Sequence, residues 1–293
     1  GKHLRLMLMK NLIAAGVMLS CLAGVTHAAQ QAPRIGSSHA LVIEDGTGKI
    51  LLEKNSNDVV PIASLTKLMT AMVVLDARPD MEAPIQIEPE DVDMLKHSMS
   101  RVPVGATMPR KDVLQLALMS SDNRAAASLA RTYPGGRPAF MAAVQAKIKG
   151  LGLSNTVIEE PTGLSPNNRS NAVDLAKMAE AASKYPDIVR ITTDSGETLN
   201  INGRQVAYHN SNRLVGKKGW DIGLSKTGFT NEAGNCLIMR IKAAGRNATL
   251  VLLNAKASSA RLFDASSIRR LLTGEPEPEP VTRVFRHHRH KGR

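Results

Sequence analysis

Cysteine and aromatic side chains are scarce in this 293-residue chain, which holds two Cys, one Trp, three Tyr and four Phe. Cys21 and Cys236 cannot build a disulfide framework, so folding has to rest on an apolar core. The few aromatics, with no helix or strand that presents a basic reading face, exclude nucleic acid as a partner despite a formal charge of +12. His39, His97 and His209 are scattered and no His-Glu-x-x-His occurs, so metallopeptidase chemistry has no ligand set and no cofactor is implied. No apolar run is long enough to read as a spanning helix. The best candidate, Leu12 to Val25, is short for that role. It follows Lys2, Arg5 and Lys10 and precedes Thr26-His27-Ala28, the pattern of a secretory signal peptide over residues 1–28.

Removal of that leader would take away three cations and leave +9, a balance suited to an anionic polymer or membrane surface. It would also remove Cys21. Met18-Leu19-Ser20-Cys21 has the outline of a lipoprotein box, with Leu19 larger than the residue usual there. Cys236 would then stand alone, within a strand-like Gly234–Met239 stretch, as a buried apolar thiol.

Residues 29–36 read as a linker. Ala40–Glu44 and Ile50–Glu53 flank Asp45-Gly46-Thr47-Gly48 and predict a hairpin. Five prolines between positions 79 and 109 predict short pieces. Helices are expected over 110–119, 123–131, 138–149 and 171–183, together a helical subdomain of about residues 79–183. Strands are expected over 188–192, 197–201 and 205–208, then three in succession over 223–229, 234–241 and 248–253. The short turns between the last three imply an antiparallel sheet. A closing helix is expected over 258–272. Sheet strands from both chain ends, with helices against them, make the class α+β. Beyond 274, the Glu275–Pro280 repeat predicts a stiff extended spacer, followed by a basic tail over 281–293 that could contact an anionic surface.

Ser64-Leu65-Thr66-Lys67 stands out against this background. It is the single Ser-x-x-Lys, and the run from Leu65 to Leu75 carries Lys67 as its only charge. Apolar residues on all sides predict a buried core helix over 64–77. Positions three apart share a helix face, so Ser64 and Lys67 project together. A serine hydroxyl needs a nearby base to attack at neutral pH, and a desolvated lysine can serve. A Ser N-cap followed by a surface Lys would explain the same two residues with no chemistry.

Two further stretches decide between these readings. Ser121-Asp122-Asn123 lies 57 residues on, and Lys226-Thr227-Gly228 lies 162 residues on. The three in this order match the trio of penicillin-binding proteins and class A β-lactamases. Longer stretches extend the match: Pro61–Ser64, Leu118–Ala126, Glu160–Ser165 and Lys226–Thr230. On these residues the chain, over about 37–273, resembles the low-molecular-mass penicillin-binding proteins. These are serine D-alanyl-D-alanine peptidases, and the likeness is greatest to their D-alanyl-D-alanine endopeptidase branch, the penicillin-binding protein 7 type.

The resemblance implies a DD-peptidase/β-lactamase-like fold, an antiparallel sheet flanked by helices. It implies that Ser64 attacks a D-alanyl carbonyl, that Lys67 takes its proton and that Ser121 relays a proton to the leaving amine. Asn123 would orient the substrate amide, Lys226 would add positive potential and Thr227 would bind a substrate carboxylate. Gly228 would let a substrate strand approach, and the N–H groups of Ser64 and Phe229 would form the oxyanion hole. Peptidoglycan would be the substrate, β-lactam antibiotics covalent inhibitors and the periplasm the location. Carboxypeptidase action would use the same residues. A β-lactamase would need a deacylating glutamate, yet the Glu-x-x-Leu-Asn expected at Glu160 is absent, with Gly at 163. A non-catalytic wall-binding module would have no need to keep Ser64, Lys67 and Lys226.

Overall fold

Both faces of the long C-terminal strands are apolar, and the architecture follows from covering each face. The computed structural model describes residues 33–276. The leader over 1–28, most of the linker and the basic tail with all but the start of its spacer lie outside the described residues. β1 (His39–Glu44) and β2 (Ile50–Lys54) form the expected hairpin. β3 (Val60–Pro61) leads into a 3-10 turn, Ala63–Leu65, and then α1 (Thr66–Asp76). β4 (Pro84–Gln86) and β5 (Thr107–Pro109) pair across the proline-rich stretch. α2 (Arg110–Met119), α3 (Asn123–Arg131) and α4 (Gly136–Gly150) follow. β6 (Arg169–Ser170) pairs with β3 and precedes α5 (Ala172–Ala182) and α6 (Pro186–Thr192). β7 (Gly196–Ile201) and β8 (Arg204–His209) make a separate ribbon. The chain then runs through β9 (Asp221–Thr230), β10 (Gly234–Ala243), β11 (Arg246–Ala255) and α7 (Ser258–Thr273).

The main sheet has the order β2-β1-β11-β10-β9, with every neighbouring pair antiparallel. β1 pairs β11 with Leu41 opposite Val251, so both ends of the described chain meet in one sheet. Side chains alternate between faces along each strand. Cys236, Ile238, Val251 and Leu253 join the larger core with α1 to α6. Leu237, Met239, Leu250 and Leu252 face the other way and pack on Ala265, Ile268 and Leu272 of α7. The result is an α+β layering of helices, sheet and helix, with the sheet covered on both sides.

α1 is buried from Thr66 to Val74, as its apolar circumference requires. It begins two residues later than the sequence implies, because Ala63–Leu65 winds as a 3-10 turn, with Ala63 at φ 48°. One expected strand is a helix: residues 188–192 belong to α6. Its β-branched residues suggest a strand, yet Ile188, Ile191 and Thr192 are the buried ones, spaced three and four apart. Pro186 in its first turn is preorganised for a helix. Here the three-to-four spacing overrode β-propensity.

Candidate active site

The N-terminal end of α1 meets β9 at the edge of the sheet, and that meeting sets the geometry. Gly228 of β9 lies so close to the 3-10 turn that a Cβ there would come within 3.0 Å of the Ser64 backbone N and 3.3 Å of the Ile62 carbonyl oxygen. The glycine therefore serves packing against the nucleophile turn as well as any approach of substrate. A second glycine holds the turn from the other side. Gly163 sits at φ 95°, and a Cβ there would fall 1.9 Å from the Ala63 carbonyl oxygen. No side chain fits at that position.

Behind Gly163, the buried Glu160 carboxylate organises its own loop. It accepts the backbone N–H of Thr162, Gly163 and Ser165, the Thr162 hydroxyl and the Asn168 Nδ2 amide. Asn168 also donates to Thr66 Oγ1 at 3.1 Å, which ties this loop to the first turn of α1.

Lys67 is 1% exposed. Its Nζ donates to Ser64 Oγ at 2.7 Å, to Asn123 Oδ1 at 2.6 Å and to Ser121 Oγ at 3.3 Å. An ammonium has three protons, and all three have acceptors here. Ser121 stands in the corner between α2 and α3 in the left-handed region, at φ 57°. Asp122 caps α3, taking the Ala125 N–H at 2.9 Å, which fixes the direction in which Asn123 leaves the corner. Lys226, also 1% exposed, donates from β9 to Ser121 Oγ at 2.9 Å and to the Thr227 carbonyl at 2.7 Å. The Ser121 hydroxyl thus bridges two buried lysines.

Burial draws both lysines down. Lys67 falls to about 8, with the Glu160 and Asp122 carboxylates pulling the other way. Lys226 falls well below the ordinary lysine range, first through burial and then through the charges of Lys67 and Arg261. Thr227 shares a hydrogen bond with Ser211 through their hydroxyls at 2.6 Å, and Phe229 projects at the sheet edge, 58% exposed. All eight residues singled out in the sequence sit on one cleft between the helical side and β9. Among the described residues, no three His, Cys, Asp or Glu side chains group so as to hold a metal ion.

A serine beside a buried lysine, with a second hydroxyl reaching a second lysine, is common to penicillin-binding proteins and class A β-lactamases, and comparison with known proteins separates the two. Residues 26–257 match the family model described as D-alanyl-D-alanine carboxypeptidase. The chain belongs to that family. As a member it is a serine-type D-alanyl-D-alanine peptidase. It is 44% identical to a D-alanyl-D-alanine endopeptidase of Pseudomonas aeruginosa over 84% of this chain and 81% of the relative. It is 42% identical to an Escherichia coli D-alanyl-D-alanine endopeptidase over 88% of this chain and 84% of the relative. The crystal structure of a Streptomyces DD-transpeptidase superposes with a TM-score of 0.76 at 25% identity, covering 83% of this chain and 98% of that one. A cefotaxime-bound penicillin-binding protein of Listeria monocytogenes gives 0.71 at 25% identity, covering 83% and 99%.

Several residues of this family member's cleft escaped the sequence reading. Ser211, Ser98 and Arg261 belong to no motif, and each reaches the cleft from a remote segment. Arg261 extends from α7 and donates to the Cys236 carbonyl at 3.1 Å and the Gly228 carbonyl at 3.4 Å. Only the fold brings them in.

Proposed function

We propose that the protein cleaves D-alanyl peptide bonds of peptidoglycan through an acyl-enzyme on Ser64. The observation that carries this reading is the single Lys67 amine in contact with the hydroxyls of Ser64 and Ser121 and the amide of Asn123. With Lys67 neutral, the Ser64 proton passes to its Nζ as Oγ attacks the D-alanyl carbonyl. The oxyanion forms beside the N–H groups of Ser64 and Phe229. The proton then travels through Ser121 to the leaving amine, which the 2.9 and 3.3 Å contacts of Ser121 with the two lysines support. Thr227, polarised by Ser211, takes the substrate carboxylate. Lys226 faces it with a proton that an arriving anion would favour. Among the described residues the outer edge of β9 has no strand partner, so an extended peptide can align along it as an added strand.

Penicillins enter the same way and stay. A deacylating water needs a free carboxylate, and the oxygens of Glu160 are taken up by the amides and hydroxyl of its own loop. Mass spectrometry of the penicillin adduct over hours tests this. Persistence is expected, and loss within seconds with steady turnover would mark a β-lactamase.

Between the two peptidase activities, we favour cleavage of D-alanyl–diaminopimelate cross-bridges. The relatives above 40% identity bear the name endopeptidase, and a Bacillus subtilis D-alanyl-D-alanine carboxypeptidase stands at 29%. Chromatography of digests decides: monomers released from dimeric muropeptides are expected, and pentapeptide trimming with intact dimers would reverse the choice. Residues 1–28 would direct export to the periplasm, and residues 281–293 would contact wall acids or anionic lipid. Deleting 281–293 should weaken pelleting with insoluble peptidoglycan at low salt and leave cleavage of soluble muropeptides unchanged.

A further inference from the structure

The loop over residues 93–100 lies outside every motif, yet it touches the cleft at a decisive atom. Asn123 spends its amide oxygen on Lys67 Nζ at 2.6 Å. Its Nδ2 donates to Ser98 Oγ at 3.0 Å. A primary amide has two N–H bonds, so one is anchored on Ser98 and the other is left for a ligand. The hydrogen-bond pattern also fixes which end of the amide is oxygen. Lys67 donates to one end and Ser98 accepts from the other, so a flip would set N–H against an ammonium.

Ser98 is itself held. Asp93, 8% exposed, accepts the backbone N–H of Leu95 at 2.8 Å, of Lys96 at 3.0 Å and of Ser98 at 2.8 Å. Burial pushes the Asp93 carboxyl up, and hydrogen bonds from the Ser98 hydroxyl and these amides outweigh it and hold the group below its usual value. Asp93 thus fixes the backbone at residue 98, and Ser98 Oγ accepts from Asn123. His97 takes a left-handed φ of 53°, which turns the loop so that residue 98 faces inward. Two more ties hold the loop. Ser100 Oγ donates to Asp122 Oδ2 at 2.7 Å, and Lys96 Nζ donates to the Glu232 carboxylate at 2.6 Å across the cleft.

We propose that Ser98, oriented by Asp93, is a positioning residue that locks the Asn123 amide in the orientation that accepts from Lys67 and presents its remaining N–H to the carbonyl of the substrate's acylamide group. The inference rests on the reading of Asn123 as the group that orients the substrate amide. It predicts that Ser98 matters in proportion to whether a ligand has that carbonyl.

Two β-lactams separate the cases. Benzylpenicillin has an acylamino side chain, and 6-aminopenicillanic acid has the same ring system with a free amine. Acylation rate constants of both are measured for the full chain and for Ser98→Ala, Ser98→Thr and Asn123→Ala. Ser98→Ala is expected to slow benzylpenicillin roughly tenfold, the scale of one lost hydrogen bond, and 6-aminopenicillanic acid less than about twofold. Ser98→Thr, which keeps the hydroxyl, is expected to restore the benzylpenicillin rate. Equal losses with both compounds would make Ser98 a structural residue and overturn the proposal, as would a full benzylpenicillin rate in Ser98→Ala. Asn123→Ala tests the underlying reading apart. If it slows both compounds equally, Asn123 does not bind the acylamide, and the proposal falls with that reading.

Discussion

Lys67 on the helical wall and Lys226 on the sheet wall are equally buried, touch the same serine and yet are electrostatically unlike. Lys67 has two carboxylates nearby, Glu160 and Asp122, which offset part of its desolvation and leave it at about 8. Lys226 draws no such offset from a carboxylate of the described residues, and the cations Lys67 and Arg261 add to its desolvation. Lys67, held at about 8, is thus the lysine whose proton titrates near neutrality, and an entering anion would favour the charged form of Lys226. Burial alone depresses any lysine. The placing of carboxylates decides which lysine is poised as the base.

The largest test of this division is removal of the reacting pair. Ser64→Ala should abolish penicillin labelling and cleavage with the fold intact, and Lys67→Ala should slow acylation roughly 10²–10⁴-fold. Lys226→Ala should cost less, chiefly in binding. Equal losses of acylation from the two lysine variants would erase the distinction. Next comes pH. The competent form of Lys67 is the deprotonated one, so acylation should rise with pH through about 8, by roughly tenfold between about pH 7 and 9. A rate flat over that range would assign the base elsewhere.

Glu160→Gln sharpens the comparison by making Lys67 more like Lys226. Removing a carboxylate that favours the ammonium should move the acidic limb of the acylation profile to lower pH, and a shift to higher pH would contradict the electrostatic account. The smallest effect is expected from Lys96→Ala. Its partner Glu232 is solvent-accessible, so penicillin labelling should change less than about twofold. A larger loss would mean that the bridge from the 93–100 loop to the β9–β10 turn shapes the helical wall.

Much of this was legible in the sequence because the chemistry sits in short contiguous motifs. Ser64 and Lys67 are one helical turn apart, Ser121 and Asn123 share a corner, and Lys226 to Phe229 lie on one strand. Local spacing predicts such groupings, and the long periodic elements α2, α3, β10 and β11 announced themselves in the same way. What escaped depends on distance along the chain. Glu160 reads as a rejected deacylating base until its loop shows it holding backbone amides. Ser98 and Ser211 are ordinary serines until the fold carries them to Asn123 and Thr227. The 188–192 segment misled because β-branched residues are common to strands and to short buried helices, and tertiary contact chose between them.

Cys236 gives this sheet an unplanned use. It lies on β10 directly opposite Gly228, fully buried, with burial pushing its thiol up to about 11. It is the one cysteine among the described residues. While the core stays closed, a thiol reagent in solution finds neither access nor thiolate. The rate at which such a reagent modifies the protein therefore counts the moments when the core behind the sheet opens at this point. The neighbouring strand bears Lys226, Thr227 and Phe229. A single sulfur atom behind the cleft is thus a clock for how often the core that backs it comes open.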